Sequence, residues 1–305
     1  MNRESKTSVG VIGLGAMGMG VAMTLVRNGF EVHAYDVRPE AVQRIMDAGG
    51  SSAASPAAMA QRVDVLITVV VSAEQTDAVL FGENGAAPHL KPGSVVIASA
   101  TVSPDYAKSL AKRLESIGVM MIDGPLSGGA AKAMSGEMTM MTSGSPAAYA
   151  KCEEVLEAIA GKIYRLGDEA GPGSVVKMVN QLLAGVHIAA AGEAMALAIR
   201  AGANPDQVYE VITNSAGNSW MFENRVAHIL AGDYTPLSAV NIFVKDLSIV
   251  LDYARKSVFP LPLSATAHQM FLQASAAGHG LEDDSAVIKN FPGIKLPEPK
   301  LAGGN

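Results

Sequence analysis

The sequence predicts an α/β protein in which a doubly wound, mostly parallel sheet is followed by an all-helical domain. Short apolar runs alternate with helical patterns from about residue 8 to residue 165, which is typical of a parallel sheet covered by helices. After Gly173 the helical pattern continues, and strand-like runs are nearly absent. A glycine-rich turn at residues 13–18 follows the first apolar run. These three observations predict two domains of different class.

We predict that residues 1–168 form the sheet domain and that residues 169–305 form the helical domain, with a mobile tail at 293–305. Strands of the first domain are predicted at 9–12, 31–35, 65–70, 95–98, 120–123 and 138–142, and its first helix at 17–27. Most of these strands are continuous apolar runs because both faces of a parallel sheet are buried.

Helices of the second domain are predicted at 174–200, 205–215, 221–231, 242–256, 262–277 and 284–291. Asn204-Pro205 and Leu261-Pro262 resemble helix starts, because proline is favoured in the first turn. The helix at 174–200 would be about 40 Å long at ~1.5 Å per residue. A helix of that length can join the two domains.

The composition excludes several classes of function. With 305 residues, 49% of them hydrophobic, the chain can bury a large core. A net charge of -6 without a basic run argues against nucleic acid as a partner. The single cysteine, Cys152, cannot form an intramolecular disulfide, and no cysteine and histidine spacing predicts a metal site.

We expect a cytoplasmic protein without a membrane partner. The N-terminal residues lack the apolar core of a signal peptide. The most apolar stretch, 175–199, carries several polar residues and no unbroken span of about 18 apolar ones, so a buried helix is predicted there. The apolar second domain predicts a homodimer or a homotetramer.

The glycine-rich turn has the sequence Gly13-Leu-Gly-Ala-Met-Gly18, with a strand-like run before it and an amphipathic helical pattern after it. In this context the first glycine makes a tight turn, the second lets the backbone approach a pyrophosphate, and the third lets the helix pack on the strand. The phosphates then lie at the helix N-terminus, where free N–H groups bind anions. We therefore predict a Rossmann-type domain that binds a dinucleotide.

Asp36, at the end of the second predicted strand, favours NAD over NADP. A carboxylate there accepts hydrogen bonds from the ribose hydroxyls and repels a 2′-phosphate. Arg38 is the alternative, because its guanidinium would bind that phosphate. Val70, Val71 and Gln75 come at and after the end of the next strand and are expected to line the cofactor cleft.

A second motif, Gly171-Pro-Gly-Ser-Val-Val-Lys177-Met-Val-Asn180, begins the long predicted helix. Lys177, Asn180 and Gln181 are three or four positions apart and therefore share a helix face. A solvated surface is the ordinary interpretation of such a cluster. The apolar residues around it, at 175–176, 178–179 and 182–183, predict burial instead, and a buried lysine needs a functional reason.

Four motifs together resemble those of the β-hydroxyacid dehydrogenase family, over nearly the whole chain from residue 8 to about 291. The family's Gly-Leu-Gly-x-Met-Gly is matched at 13–18, and its Asp-x-Pro-Val-Ser-Gly-Gly at 123–129 with leucine in place of valine. Its Gly-x-Gly-x-x-x-Lys-x-x-Asn is matched at 171–180, and its late Lys-Asp-Leu at 245–247. The resemblance implies NAD-dependent oxidation of a hydroxy acid, with hydride transfer to NAD+ and Lys177 as the general acid and base.

The resemblance also implies which residues bind the small-molecule substrate and the cofactor. Ser127, Gly128 and Gly129 are expected to hold the substrate carboxylate, and Thr101 matches the family's cofactor-contacting threonine although the residues before it differ. Cofactor binding is predicted for Gly13, Leu14, Gly15, Ala16, Met17, Gly18, Asp36, Val70, Val71, Gln75, Thr101 and Lys245. Substrate binding is predicted for Ser127, Gly128, Gly129, Asn180, Gln181, Trp220 and Asn224.

Gln181 departs from the second asparagine that many relatives carry, which puts 3-hydroxyisobutyrate in doubt as the substrate. Together with the segment from Asn218 to Arg225, it is similar to the branch that oxidises L-threonate, a four-carbon acid sugar. Trp220 and Asn224 would then contact the additional hydroxyls. In the alternative, this segment is a surface turn and Trp220 fills the core.

Four other functions stay open. Oxidation of 3-hydroxyisobutyrate or reduction of tartronate semialdehyde would use the same machinery. Oxidative decarboxylation of 6-phosphogluconate would need a cluster that binds phosphate, for which Arg225 and Lys256 are the candidates. A non-catalytic NAD-binding module would have no need of a buried base.

Overall fold

The computed structural model describes residues 7–298, and the chain divides into two compact units, Met1–Lys177 and Met178–Asn305. The division lies within the long helix rather than near residue 168, because Ser174 and Lys177 hydrogen-bond to the sheet unit. Of the predicted mobile tail, residues 299–305 lie outside the described residues. Residues 293–298 form no helix or strand, but Ile294 and Leu296 pack against the core of the second unit.

The first unit is a sheet with helices on both faces. Its strands among the described residues are β1 (Ser8–Ile12), β2 (Glu31–Tyr35), β3 (Ser51–Ser52), β4 (Val65–Thr68), β5 (Val95–Ala98), β6 (Met120–Asp123), β7 (Leu126–Ser127), β8 (Met138–Gly144) and β9 (Ala160–Arg165). Its helices are α1 (Ala16–Arg27), α2 (Pro39–Asp47), α3 (Pro56–Ala60), α4 (Ala73–Phe81), α5 (Pro104–Glu115), α6 (Gly129–Ser135), α7 (Pro146–Ile159) and the first turns of α8 (Pro172–Arg200).

The strand order is β3-β2-β1-β4-β5-β6-β8-β7, with β9 paired to β8. The pairs from β3 to β6 are parallel, whereas β8 pairs antiparallel with both β6 and β7. The order 3-2-1-4-5-6 is that of the dinucleotide-binding doubly wound fold. The predicted fold class is confirmed.

Apolar side chains from the sheet form a core on each face. Val9, Val11 and Ile67 lie in the cluster that packs under α1 and α7, while Leu66 and Val96 lie in the cluster on the opposite face. The alternation along β1 and β4 therefore buries both faces, as expected for continuous apolar runs. Each of these side chains is completely buried.

Serine followed by proline begins three helices of this unit. Ser55, Ser103 and Ser145 cap α3, α5 and α7, and each hydroxyl oxygen accepts a hydrogen bond from the backbone N–H three residues later. Proline suits the next position because its missing N–H would have no helical partner. These starts are therefore encoded locally.

The structure corrects several predicted boundaries. The strand predicted at 65–70 ends at Thr68. The Val69 N–H still bonds to the Ile12 carbonyl at 2.8 Å, but the chain then leaves the sheet and begins α4 at Ala73. Strands β3 and β7 have two residues each, too few for a periodic pattern, and the mostly exposed β9 has no alternation to predict it.

The second unit is all-helical, as predicted. It contains the rest of α8 together with α9 (Pro205–Thr213), α10 (Trp220–Ala231), α11 (Val240–Lys256) and α12 (Pro262–Ala274). A π-helical turn, Ser275–His279, follows α12 where a longer helix was predicted, and Asp284–Asn290 is 3-10 helix rather than α-helix. Phe243 and Phe271 stack at 5.2 Å in one apolar cluster, and Met195 and Phe222 lie in another.

Helix α8 is the one helix among residues 7–298 that is long and apolar enough, by length and composition, to cross a membrane. Of its most apolar window of 18 residues, 44% are buried inside the protein. Its polar side chains Lys177 and Gln181 are also buried. One helix that meets these two criteria is weak evidence for a membrane span.

Candidate active site

The carboxyl ends of five parallel strands lie at one edge of the sheet. Tyr35 of β2 is in register with Ile12 of β1, Ile12 with Thr68, Thr68 with Ala98, and Ala98 with Asp123. Ligands of doubly wound sheets bind outside this edge. The loops after these strands therefore lie on one side of the first unit. They carry the predicted residues at 13–18, 36, 70–71, 101 and 127–129.

The glycine turn between β1 and α1 is shaped by close contacts. Gly13 has a φ of +92°, which favours glycine, and a Cβ on Gly18 would lie 1.8 Å from the Gly13 carbonyl oxygen. By contrast, a Cβ on Gly15 would meet no atom within 4 Å. Gly13 and Gly18 are thus required by the fold of the turn, whereas Gly15 borders open space.

That open space lies at the N-terminus of α1. Gly15 is the capping residue, no side chain caps the helix, and the first turn contains no acidic residue. The free N–H groups of Ala16 and Met17, with the helix dipole behind them, suit an anionic group. The turn therefore fits the pyrophosphate of a dinucleotide.

Asp36 follows β2 and is tied to this turn. Its carboxylate accepts hydrogen bonds from the Leu14 N–H at 2.6 Å and from the Arg38 N–H and Nε at 2.9 Å. Partial burial raises the pKa of the Asp36 carboxyl, but the bonds from Arg38 and Leu14 lower it by more, so the net shift is downward. Arg38 is thus paired with Asp36, and its guanidinium also bonds to the Leu14 carbonyl.

Val70, Val71, Gln75 and Thr101 lie beyond the ends of β4 and β5. Val71 is 47% exposed, and its N–H donates to Gln75 Oε1 at 2.8 Å, so the Gln75 side chain closes the loop before α4. Thr101 is half-buried. Their predicted contacts with the cofactor remain predictions.

Lys177 is placed by a buried carboxylate. Asp123, 1% exposed at the end of β6, accepts hydrogen bonds from the backbone N–H groups of Gly171 and Ser174 at 3.0 and 2.8 Å. It also accepts from the hydroxyls of Ser174 at 2.7 Å and Ser143 at 3.3 Å. Burial raises the pKa of the Asp123 carboxyl, and these bonds offset only part of the rise. The start of α8 is therefore fixed to the sheet one turn before Lys177.

Lys177 is 7% exposed, so its predicted burial is confirmed. Its Nζ donates to the Leu126 carbonyl at 2.8 Å, which puts the ammonium beside the loop of Ser127, Gly128 and Gly129. The stated reason for burial was wrong in part: Val176 and Val179 are 40% and 50% exposed. They point away from the face that Lys177 shares with Gln181, since residues one or two apart on a helix diverge.

In the second unit, Asn180, Gln181 and Lys245 are joined through Asp246. Asn180 Nδ2 donates to Gln181 Oε1 at 3.0 Å, and Gln181 Nε2 donates to Asp246 Oδ2 at 2.5 Å. Lys245 Nζ donates to the other carboxylate oxygen at 2.5 Å. Asp246 itself is 2% exposed. Gln181, a predicted substrate residue, and Lys245, a predicted cofactor residue, therefore share one buried acceptor.

Trp220 and Asn224 lie on α10, whose main contacts within the unit are with α9 and the 3-10 helix Asp284–Asn290. Trp220 is 60% exposed, so the alternative in which it fills the core is wrong. Asn224 Oδ1 accepts a hydrogen bond from Arg225. The Arg225 guanidinium also binds both carboxylate oxygens of buried Asp284, at 2.5 and 3.1 Å, and is thus committed to an internal ion pair.

Sequence reasoning did not assign Asp123, Ser143, Ser174 or Asp246 to the site. Asp123 and Asp246 stand inside the recognised motifs, and their signal is a carboxylate among buried apolar neighbours, which requires compensating partners. Their partners lie 51 and 65 residues away in the chain, so no local pattern identifies them.

Two family models match the chain. Residues 8–167, more than half of it, match a model described as the NAD binding domain of 6-phosphogluconate dehydrogenase. Residues 171–291 match a model described as NAD-binding of NADP-dependent 3-hydroxyisobutyrate dehydrogenase.

Curated relatives and solved structures are similar over almost the full length. An L-threonate dehydrogenase of Cupriavidus necator is 68% identical over 290 residues, 95% of this chain and 98% of that protein. One of Escherichia coli K12 is 53% identical over 301 residues, 98% of this chain and 100% of that protein. A crystal structure of 3-hydroxyisobutyrate dehydrogenase from Salmonella typhimurium has a TM-score of 0.90 at 52% identity, covering 94% of this chain and 100% of that chain.

The contrast between Gly15 and Gly18 leads to a prediction. In Gly15→Ala the new methyl meets no protein atom within 4 Å, so the free energy of unfolding is expected to stay within about 0.5 kcal/mol. The methyl occupies space needed by the phosphates, so NADH should bind about tenfold more weakly. Fluorescence titration with NADH and denaturant unfolding measure the two effects.

Gly18→Ala is the matched control. Its Cβ would clash with the Gly13 carbonyl oxygen, so it should lower the free energy of unfolding by about 1–3 kcal/mol as well as weaken NADH binding. Binding of NADH to Gly15→Ala at wild-type strength would contradict the assignment of the open space to the phosphates.

Proposed function

The chain belongs to the β-hydroxyacid dehydrogenase family, the family of 3-hydroxyisobutyrate dehydrogenase, and from this premise we propose that it oxidises L-threonate with NAD+. It is an NAD-dependent hydroxyacid dehydrogenase. The observation that carries the choice of substrate is the 68% identity to an L-threonate dehydrogenase over nearly all of both chains. The proposed product is the 2-oxo acid, 2-dehydro-L-erythronate.

Oxidation of an alcohol removes a hydride from carbon and a proton from oxygen. Bound NAD+ supplies the hydride acceptor, and the residues at 13–18 with Asp36 would hold its pyrophosphate and ribose. Lys177 would accept the hydroxyl proton. Its burial and its position beside residues 127–129 support this role, because a general base must lie within reach of the proton that it removes.

The substrate carboxylate would be held by Ser127, Gly128 and Gly129. The hydrogen bond from Lys177 to the Leu126 carbonyl supports this, since it puts the proposed base next to the residues proposed to bind the carboxylate. Backbone N–H groups and a hydroxyl bind such an anion without a full countercharge. Asn180, with Trp220 and Asn224, would contact the other hydroxyls, and Gln181, whose amide is bonded to Asn180 and Asp246, would support Asn180.

Asp36 supports a preference for NAD over NADP. The Asp36 pKa is lowered, so the carboxylate stays charged at neutral pH, and a 2′-phosphate placed beside it would be repelled. The Nε and Nη2 groups of Arg38 are already bonded to Asp36 and Leu14.

Two observations bear on the alternatives. The name of the Salmonella structure and the second family model favour 3-hydroxyisobutyrate as the second candidate substrate. Decarboxylation of a sugar phosphate is disfavoured, because Arg225, one of the two proposed phosphate ligands, is paired with buried Asp284.

A homo-oligomer in the cytoplasm is part of the proposal. On α8 the exposed side chains of Val176, Val179 and Leu183 follow helical spacing and form one apolar stripe. A contiguous exposed apolar patch is typical of a surface that contacts another protein chain. Light scattering after size exclusion should give twice or four times the chain mass of 31.5 kDa, and a purely monomeric enzyme would contradict this proposal.

The substrate is tested with a panel of L-threonate, D-threonate, D-erythronate, 3-hydroxyisobutyrate and D-glycerate, each with NAD+ and with NADP+. NADH formation should be fastest, by kcat/KM, for L-threonate with NAD+, because Gln181 and Asp36 suit that pair. Turnover confined to 3-hydroxyisobutyrate would keep the family and reject the proposed substrate.

Lys177→Met tests the proposed base. The variant should lower kcat at least about 100-fold, because general acid–base catalysis contributes about 10²–10⁴. NADH binding, measured by fluorescence, should stay near the wild-type value. Lys112→Met, an exposed lysine on α5, is the control and should retain activity. Substantial turnover by Lys177→Met would reject the role.

A further inference from the structure

The second unit contains a chain of hydrogen bonds that ends at a candidate substrate ligand. It runs from Lys245 to the carboxylate of Asp246, from Asp246 to the Gln181 side-chain amide, and from Gln181 to the Asn180 amide. Gln181 and Asp246 are 8% and 2% exposed. Water therefore has little access to the middle of this series of hydrogen bonds. The Gln181 and Asp246 side chains depend on each other and on their neighbours for hydrogen-bond partners.

Asp246 decides which way each amide points. An ionised carboxylate accepts hydrogen bonds and donates none. Lys245 Nζ forms an ion pair with one carboxylate oxygen, and the other oxygen receives the NH2 group of Gln181. The Gln181 carbonyl then faces Asn180 and must receive the Asn180 NH2 group. The orientation of both amides follows from the charge of Asp246.

As a consequence, the side-chain carbonyl oxygen of Asn180 lies at the free end of this series of hydrogen bonds. It accepts no hydrogen bond from any residue between 7 and 298, and Asn180 is only half-buried. A carbonyl oxygen accepts from a hydroxyl group and repels a carboxylate. A freely rotating asparagine, by contrast, would offer either a donor or an acceptor.

We propose that Asp246, acting through Gln181, is a positioning residue that orients the Asn180 amide so that its carbonyl oxygen accepts a hydrogen bond from a non-reacting hydroxyl of the substrate. This inference rests on the proposed function and refines it: the site selects hydroxy acids that carry a second hydroxyl. Glutamine at 181 has the length to reach Asp246 and Asn180 at once. Asparagine is one methylene shorter and could not keep both contacts.

The test uses two variants and two ligands. Gln181→Met keeps the length and volume of the side chain but removes both hydrogen bonds. Asp246→Asn keeps its shape but lets the Gln181 amide turn either way. The ligands are L-threonate and 2-hydroxybutanoate, with the same configuration at C2. 2-Hydroxybutanoate also has four carbons, but it has no hydroxyl at C3 or C4. The second is measured as a substrate or as a competitive inhibitor.

Each variant should raise KM for L-threonate about tenfold, the effect of one lost hydrogen bond in a partly buried site, with kcat within about threefold of wild type. Affinity for 2-hydroxybutanoate should stay unchanged, because that acid lacks the contacted hydroxyl. The double variant should cost no more than either single one, since both interrupt the same chain. For Gln181→Met, KM for NAD+ should also stay constant, because Lys245 keeps its partner.

Equal weakening of both ligands would show general damage to the site and overturn the inference, as would additive effects in the double variant or an unchanged KM for L-threonate. If one variant fails to fold by circular dichroism, the other carries the same comparison. Failure of the proposed function can be told apart from failure of this inference. An enzyme that oxidises another acid rejects L-threonate as the substrate, while the relative inhibition by the hydroxylated and deoxy acids still tests the role of Asp246.

Discussion

The buried carboxylate of Asp123 connects the sheet to helix α8, and the position of Lys177 depends on this contact. Asp123 ends β6, and it accepts from the N–H groups of Gly171 and Ser174 and from the Ser174 hydroxyl. Hydrogen bonds to a charged group are each worth about 1.5–3 kcal/mol. A negative charge at the N-terminus of α8 also interacts favourably with the helix dipole. Burial opposes the charged form of Asp123, since it raises the pKa of the carboxyl group.

The parallel register collects the other candidate residues. Because Tyr35, Ile12, Thr68 and Ala98 are aligned across neighbouring strands, the loops after them lie along one edge whatever their own sequences. The antiparallel pairing of β7 with β8 then returns the chain at Leu126, beside Lys177. The sheet thus brings the proposed cofactor turn and the proposed carboxylate loop to the unit that also contains the proposed base.

The two units use buried carboxylates for different purposes. Asp123 receives backbone N–H groups and so fixes the position of a helix. Asp246 receives a side-chain amide and so fixes the direction in which a donor and an acceptor point. The physical cause is the same in both cases, because a buried ionised carboxylate accepts hydrogen bonds from protein groups and donates none. Asp284 is a third buried carboxylate, and its bidentate pair with Arg225 removes that guanidinium from the set of available ligands.

The sequence by itself determined the fold class, the glycine turn and the burial of Lys177, because periodicity, turn residues and caps act within a few positions of the chain. It could not determine where β4 ends or that β3 and β7 exist, since such short pairings depend on neighbouring strands. Only the tertiary structure decided which helix face carries Lys177 inward while Val179 stays exposed. It alone also joined Asp123 to Ser174 and Asp246 to Gln181, because hydrogen bonds between residues 51 and 65 positions apart form only when packing brings their elements together.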